Sequence, residues 1–265
     1  MHEILSELRE GSLVLDLGCA SGSFAAAATA ARVVRLDRES AADGGDGAWS
    51  VNGDAARLPF ADGSIAGVIS NHSLEHFEDL EGALRELGRV IRPEGALYVA
   101  VPDASTLTDR LYRWLGRGGG HVNAFTSQAD LADAIERATG LRYLAGKTLC
   151  SSLAFLNRRN SPRPAPLRLL LLGAGYEWTL FVYAWLSRRI DRLLNTRTSI
   201  YGWALYFGNI AGAIDTETWV NVCIRCGSGC PSRRLMAQVH SVFPGVRVYR
   251  CLQCGARNPF AEDRG

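Results

Sequence analysis

Apolar and polar positions alternate in blocks along the first hundred residues. LVLDL at 13–17, RVVRLD at 32–37, AGVIS at 66–70 and GALYVAVP at 95–102 are short runs rich in Val, Ile and Leu. They are apolar on both faces, as strands buried inside a parallel sheet must be. Between them, GSFAAAATAA at 22–31 and LEGALRELGRVI at 80–91 predict helices, the second with Leu80, Leu84, Leu87 and Ile91 on one face. Strand and helix in regular succession predict a doubly wound, mostly parallel α/β sheet. A helix over 127–139 and an extended LRYLAGKTL at 141–149 continue the pattern.

The texture then changes. NSPRPAP at 160–166 reads as a linker by its prolines. Residues 167–215 are rich in Leu, Trp, Tyr and Arg without strand alternation, and read as two or three helices. From Glu217 onward a strand-like TWVNVCIRC leads into most of the cysteines. The division expected is a core over 1–157, a helical insertion or lid over 158–215, and a small cysteine-bearing module over 216–265.

Composition adds little to this picture. A chain of 265 residues, 47% hydrophobic and 21% charged, buries one full core and carries a small second module. A net charge of +2 names no partner. The N-terminal MHEILSELREGS has acidic residues where a secretory signal needs a basic flank, which predicts a cytoplasmic protein. The seven cysteines then read as thiols or metal ligands.

Candidate chemistry begins where the first strand breaks into small residues. Asp16, Gly18, Ala20 and Gly22 fall in its exit loop, where an open α/β sheet places its ligand crevice. A dinucleotide fingerprint would want glycine at 18, 20 and 23, and Ala20 and Ser23 fail it. The stretch instead resembles the first motif of the class I S-adenosylmethionine-dependent methyltransferases of the type 11 kind, with Ala20 in place of the middle glycine. The resemblance extends to Asp37 at the end of the second strand and to GDAARLPFADGSIAGVIS at 53–70. It continues through NHSLEHFEDLEGALRELGRVIRPEGALYVAVP at 71–102, so that it covers about Leu13 to Pro102.

The resemblance implies a Rossmann-like seven-stranded sheet and S-adenosylmethionine as methyl donor. It implies contacts to that cofactor from Asp16, Gly18, Ala20, Gly22, Asp37, Asp54, Ala55 and Asn71. Asp37 would take both ribose hydroxyls, Asp54 the adenine amino group and Ala55 a backbone contact, while Asn71 lines the pocket. It also suggests TWVNVCIRC as an antiparallel last strand of the sheet. Transfer to a hydroxyl usually needs a general base. His121 in RGGGHVNAFT is the first candidate and His72, just past the fourth strand, the second; His76 reads rather as packing.

Cys223-Ile-Arg-Cys226-Gly and Cys251-Leu-Gln-Cys254-Gly are two knuckles separated by 24 residues, the spacing of a four-thiolate zinc ribbon. Four thiolates leave no open position, so the Zn2+ would be structural. Cys230 is left over, as substitute ligand or free thiol. The apolar stretch 167–187 is long enough to span a bilayer, but Glu177 at its centre would cost about 2.5–3.5 kcal/mol on insertion scales. A hydrophobic lid or a membrane-surface element over 167–207 is expected instead, placing the protein in the cytoplasm or peripherally at the membrane.

The acceptor expected is a small molecule, a sugar or a lipid-linked glycan. The alternative is a nucleic-acid methyltransferase, with Arg225, Arg233, Arg234, Arg247, Arg250 and Arg257 binding RNA and Tyr249 stacking on a base. A third reading is a non-catalytic, zinc-linked interaction protein on a methyltransferase fold.

Overall fold

The structure, a computed structural model, describes residues 4–19, 22–39, 46–115, 120–157, 175–209, 214 and 217–262. Ala20, the linker 160–166 and the first part of the 167–187 stretch lie outside them.

Seven strands form one sheet: β1 (Leu13–Leu17), β2 (Arg32–Asp37), β3 (Trp49–Asn52), β4 (Ile65–Asn71), β5 (Ile91–Pro102), β6 (Tyr143–Cys150) and β7 (Ile200–Gly208). Their order is β3-β2-β1-β4-β5-β7-β6. The pairs from β3 to β5 are parallel, with Leu15 of β1 opposite Val34 on one side and Val68 on the other. β7 runs the other way. Its start meets the end of β5, where the Asp103 amide donates to the Tyr201 carbonyl at 2.8 Å, and its far end meets the start, where the Asn209 amide donates to the Gly95 carbonyl. The strand order reverses between β1 and β4, so the crevice opens beyond the carboxyl ends of those two strands.

The reading of 167–215 as two or three helices, and of 158–215 as a helical insertion, is corrected in part: the described residues hold one helix, Glu177–Leu194, and Ile200–Gly208 is a strand of the sheet. IYGWALYFG lacks alternation because β7 sits between two strands and is buried almost throughout, so neither face needs polar residues. TWVNVCIRC does not close the sheet: only Asn221–Val222 form a strand, β8, paired with β9 (Gly229–Cys230), and Trp219 makes one isolated bridge to Leu149. The helix expected over 22–31 is a single 3-10 turn at Ala26–Ala28. Its alanines offer no apolar stripe, and side chains claim the backbone instead: Asp46 accepts the Ala26 amide at 2.8 Å and Arg35 donates to the Phe24 carbonyl. β3 and the helix over 107–115 are among the elements not anticipated.

Contacts divide the chain into two units. The first takes in residues 1–102, 121–146 and 203–216. With α1 taken as Ile4–Glu7, helix α2 (Leu80–Val90) begins at Asp79, whose side chain accepts the Gly82 amide at 2.8 Å, and buries Ala83, Leu84, Leu87 and Val90. Opposite that face lie Leu15, Leu17, Leu36, Val68 and Val99 of the sheet, in one apolar core. Arg89 on α2 donates to the carbonyls of Leu58 and Phe60, and Glu86 accepts the Leu58 amide, pinning the loop that follows Asp54.

The second unit comprises residues 103–120, 147–202 and 217–265. In this numbering the chain contributes α3 (Leu107–Leu115) here, after which α4 (Gln128–Thr139) belongs to the first unit. Helix α5 (Glu177–Leu194) follows, then β8 and β9, α6 (Ser232–Leu235), and an antiparallel sheet of β10 (His240–Phe243), β11 (Val246–Arg250) and β12 (Arg257–Pro259). Glu177 is the first residue of α5 rather than the middle of a span. It grips Arg225 with both carboxylate oxygens, at 2.6 and 2.9 Å. Among the described residues no helix is long and apolar enough to cross a membrane.

Candidate functional sites

A cavity of about 500 Å³ lies in the first unit beyond the ends of β1 and β2. Leu17, Gly18, Asp37, Asp54, Ala55 and His72 are among its lining residues. Gly18 has φ +63°, and a Cβ there would stand 2.5 Å from the Cβ of Ser73. Only glycine fits this bend, which leaves the backbone open to a close-lying ligand. Ser73 is itself fixed by hydrogen bonds to the Leu17 carbonyl and to Ser70.

Asp37 and Asp54 face the cavity from the ends of adjacent segments. Each is oriented by a local turn: Asp37 accepts the Glu39 amide and Asp54 the Ala56 amide, both at 3.0 Å. The Gly53 amide donates to the Asp37 carbonyl and so ties the two turns together. Arg38 lies at the rim, 3.8 Å from Asp54 and 3.3 Å from Glu78.

Asp16, Gly22 and Asn71 do not line this cavity. Asp16 is fully buried at the centre of the sheet, and its Oδ2 accepts the Ser23 amide at 2.8 Å, bracing the loop. Burial pushes its pKa up, opposed by that bond and by Arg35. Its Oδ1 has no hydrogen-bond partner among the described residues. Gly22 has φ +105° and packs on the Arg35 guanidinium. Asn71 ends β4 opposite Ala100.

The three histidines named above gather around one carboxylate. The Val122 and Asn123 amides both donate to the Glu75 carbonyl, at 2.8 and 3.0 Å, and the Asn123 side chain caps the carbonyls of Leu74 and Phe77. This strap sets the His121 ring edge-on to His76, centroids 4.9 Å apart. Glu75 is buried, with its Oε1 3.8 Å from His72 Nδ1. Ligand-type atoms of Glu75, His76 and His121 lie within 4.8 Å of one another. Burial, then the neighbouring imidazoles of His121 and His76, hold the His72 pKa down at about 4. His72 and His76 line the cavity, whereas His121 does not. Gly118 and Gly119, preceding it, lie outside the described residues. The sequence did not single out Glu75, whose only signal was a carboxylate beside His76 in an otherwise apolar turn.

In the second unit the four cysteines converge. Cys223 and Cys254 sulfurs are 3.6 Å apart, as are Cys226 and Cys251. A tetrahedral Zn–S shell with bonds of about 2.3 Å spaces its sulfurs by roughly 3.8 Å, so the donor set fits that ion. The two knuckles repeat one backbone geometry. Gly227 donates to the Cys223 carbonyl and Gly255 to that of Cys251, each glycine in the left-handed region. Arg225 and Asn258 donate toward the Cys223 sulfur. Burial raises the Cys251 thiol, but hydrogen bonds led by Ser228 outweigh it and bring the pKa to about 7. Cys230 stands apart, packed with Leu235, Tyr249 and Phe260. Tyr249 is buried against Phe260, so stacking on a nucleobase is excluded for it.

Residues 15–99 match the family model described as a methyltransferase domain. Over 182 residues the chain is 32% identical to malonyl-[acyl-carrier protein] O-methyltransferase of Methylococcus capsulatus, covering 59% of this chain and 66% of that one. Over 62 residues it is 45% identical to demethylmenaquinone methyltransferase of Mycolicibacterium vanbaalenii, covering 23% and 26%. The chain thus spans less than two thirds of the length of these curated relatives. Among solved structures, geranyl diphosphate C-methyltransferase from Streptomyces coelicolor shares the fold at TM-score 0.51 and 14% identity, over 78% of this chain and 77% of that one.

Proposed function

The chain carries a methyltransferase domain of the class I S-adenosylmethionine-dependent family, and from that premise we propose that it methylates a small-molecule, sugar or lipid-linked acceptor. When bound, S-adenosylmethionine supplies an already activated methyl group, so the protein's main task is alignment. The observation that carries the reading is the pair Asp37 and Asp54 facing one cavity beside the Gly18 bend. Asp37 accepts from the ribose hydroxyls, Asp54 from the adenine amino group, and Ala55 offers its backbone. Asp16, whose Oδ1 has no hydrogen-bond partner among the described residues, is assigned the cofactor's ammonium end by the family resemblance, while Oδ2 braces the loop. Gly22 and Asn71, which do not line the cavity, and Ala20, outside the described residues, are assigned to the same ligand by the family resemblance alone.

At the acceptor, a ring nitrogen of His121 takes the hydroxyl proton, with His72 the second group for that role. Glu75, held between them and His76, stabilises the imidazolium that results. Cys223, Cys226, Cys251 and Cys254 hold a structural Zn2+ that fixes the ribbon. The relatives named as O-methyltransferases support an oxygen acceptor, and the family model's match at residues 15–99 includes the residues lining the cavity.

The test is calorimetry with S-adenosylmethionine and S-adenosylhomocysteine, followed by a turnover assay against sugar, lipid-glycan and RNA extracts. Binding of both ligands with turnover on a non-nucleic acceptor is expected. No heat from either ligand on folded, zinc-replete protein removes the assignment, and turnover on RNA alone transfers it to nucleic acid.

A further inference from the structure

The second unit contains a cavity of about 560 Å³ that methyl transfer does not use, and Arg188, Arg189, Arg192 and Arg247 line it. Arg188 is 92% buried. Its Nη1 donates to the Pro259 carbonyl at 3.0 Å, while Nε and Nη2 have no hydrogen-bond partner among the described residues. A guanidinium stays charged, and burying one without a counter-charge is among the costliest arrangements a protein can hold.

The acids nearby are engaged elsewhere. Asp191 accepts from Thr196, Thr198 and Ser199, and Glu262 pairs with Arg247 at 2.8 Å. Arg189 is spent on the Gly245 carbonyl. Arg188, among the residues lining the cavity, therefore keeps two N–H groups on one edge of its guanidinium without a partner among the described residues, and Arg189, Arg192 and Arg247 with the hydroxyl-bearing Thr148, Ser199 and Ser241 are lining residues of the same cavity. A planar fork of this kind matches two oxygens of a phosphate.

We propose that this cavity is a binding site for the phosphate or diphosphate end-group of a small or lipid-linked molecule, with Arg188 as its buried anchor. An end-group suits the geometry better than a nucleic-acid backbone. A strand is tracked by exposed charges along a groove, whereas a side chain this deep reaches only a group inserted into the cavity. Trp185, Ile200 and Phe260 supply an apolar wall for whatever the phosphate carries. The proposal is independent of the cofactor assignment.

The experiment is thermal unfolding of the zinc-replete full chain in phosphate-free buffer. Inorganic pyrophosphate, a sugar phosphate and vesicles carrying a polyprenyl phosphate are each added, with a single-stranded oligoribonucleotide as a further arm. Tm is expected to rise by about 4 °C or more with saturating pyrophosphate. R188M should lose that rise while its own Tm, without ligand, matches or exceeds the parent's, because it removes an uncompensated buried charge. R188K should respond weakly. The sugar and lipid arms then identify which carrier binds best.

Three results would overturn the proposal: no rise with any phosphate compound, an equal rise in R188M, or a ligand-free R188M that is strongly destabilised. The last would make Arg188 a purely structural donor to Pro259. Tighter Arg188-dependent binding of the oligoribonucleotide than of pyrophosphate would replace the end-group with a nucleic acid.

Discussion

A Cβ on Gly18 would fall 2.5 Å from the Cβ of Ser73, at a backbone φ of +63°. Two separate penalties therefore meet at one residue, a disfavoured dihedral and a collision with a side chain that is already pinned to the Leu17 carbonyl. Gly18→Ala is expected to destabilise the protein by about 2–3 kcal/mol and to weaken S-adenosylhomocysteine binding at least about tenfold. Gly11 separates the two effects, since it has φ +71° but nothing within 4 Å of its Cβ position. Gly11→Ala should cost only about 1 kcal/mol in urea unfolding and leave calorimetric affinity unchanged. Equal behaviour of the two variants would show that the Ser73 contact does not matter.

Asp37 carries the ribose assignment. Replacing a carboxylate that accepts from two hydroxyls removes a charged hydrogen-bonding group worth about 1.5–3 kcal/mol, or roughly 10- to 100-fold in affinity. Asp37→Ala should show that loss in calorimetry with S-adenosylhomocysteine, with a zinc content equal to that of the parent. Affinity that does not change would place the ribose elsewhere.

How much of this was legible in the sequence depends on where the information lies. β1, β2, β4, β5 and α2 could be read because their burial is written in local periodicity, Asp37 because it ends one of these strands, and Asp54 only through the family resemblance of residues 53–70. The two knuckles were legible because Cys-x-x-Cys-Gly is a local geometry, repeated around Cys223 and Cys251. β7 was not legible: a strand buried between two neighbours has no alternation, and its Trp203, Tyr206 and Phe207 read equally as a helix face. The stretch 22–31 misled because alanine favours helix wherever nothing else decides, and here Asp46 and Arg35 decide. Glu75 and Arg188 were invisible for a different reason. Their meaning comes from partners brought together by the chain's long-range path, such as the 121–123 strap, and no spacing encodes that.

The zinc assignment distinguishes among the cysteines. Cys251→Ser should lower the zinc content to less than one equivalent and reduce Tm, since the proposed zinc would stabilise a module this small. Cys230→Ser should retain the full equivalent, because its sulfur packs among Leu235, Tyr249 and Phe260 away from the other four. Metal analysis by mass spectrometry with thiol titration checks both. Zinc lost on changing Cys230 would make it a ligand.

His72 gives the protein a signature in acid. Its folded pKa of about 4 lies below the ordinary value of 6.5, so the unfolded chain binds the proton more readily between those limits. The neutral ring's contribution to stability is therefore complete above about pH 6.5 and drains away as pH falls toward 4. The full shift corresponds to about 3 kcal/mol, and solvent at the 29% of the side chain left exposed trims this to roughly 2 kcal/mol. Urea unfolding from pH 7.5 to 4.5 should show that loss on top of the background from the carboxylates. In His72→Gln, which cannot take up a proton, the same titration should be shallower by about that amount, while the zinc content at pH 7.5 stays constant. An identical pH slope in both proteins would mean that the ring reaches solvent freely and titrates as it does in the unfolded chain. In that case the imidazole cluster around Glu75 would be open to water rather than a desolvated site able to hold a neutral base.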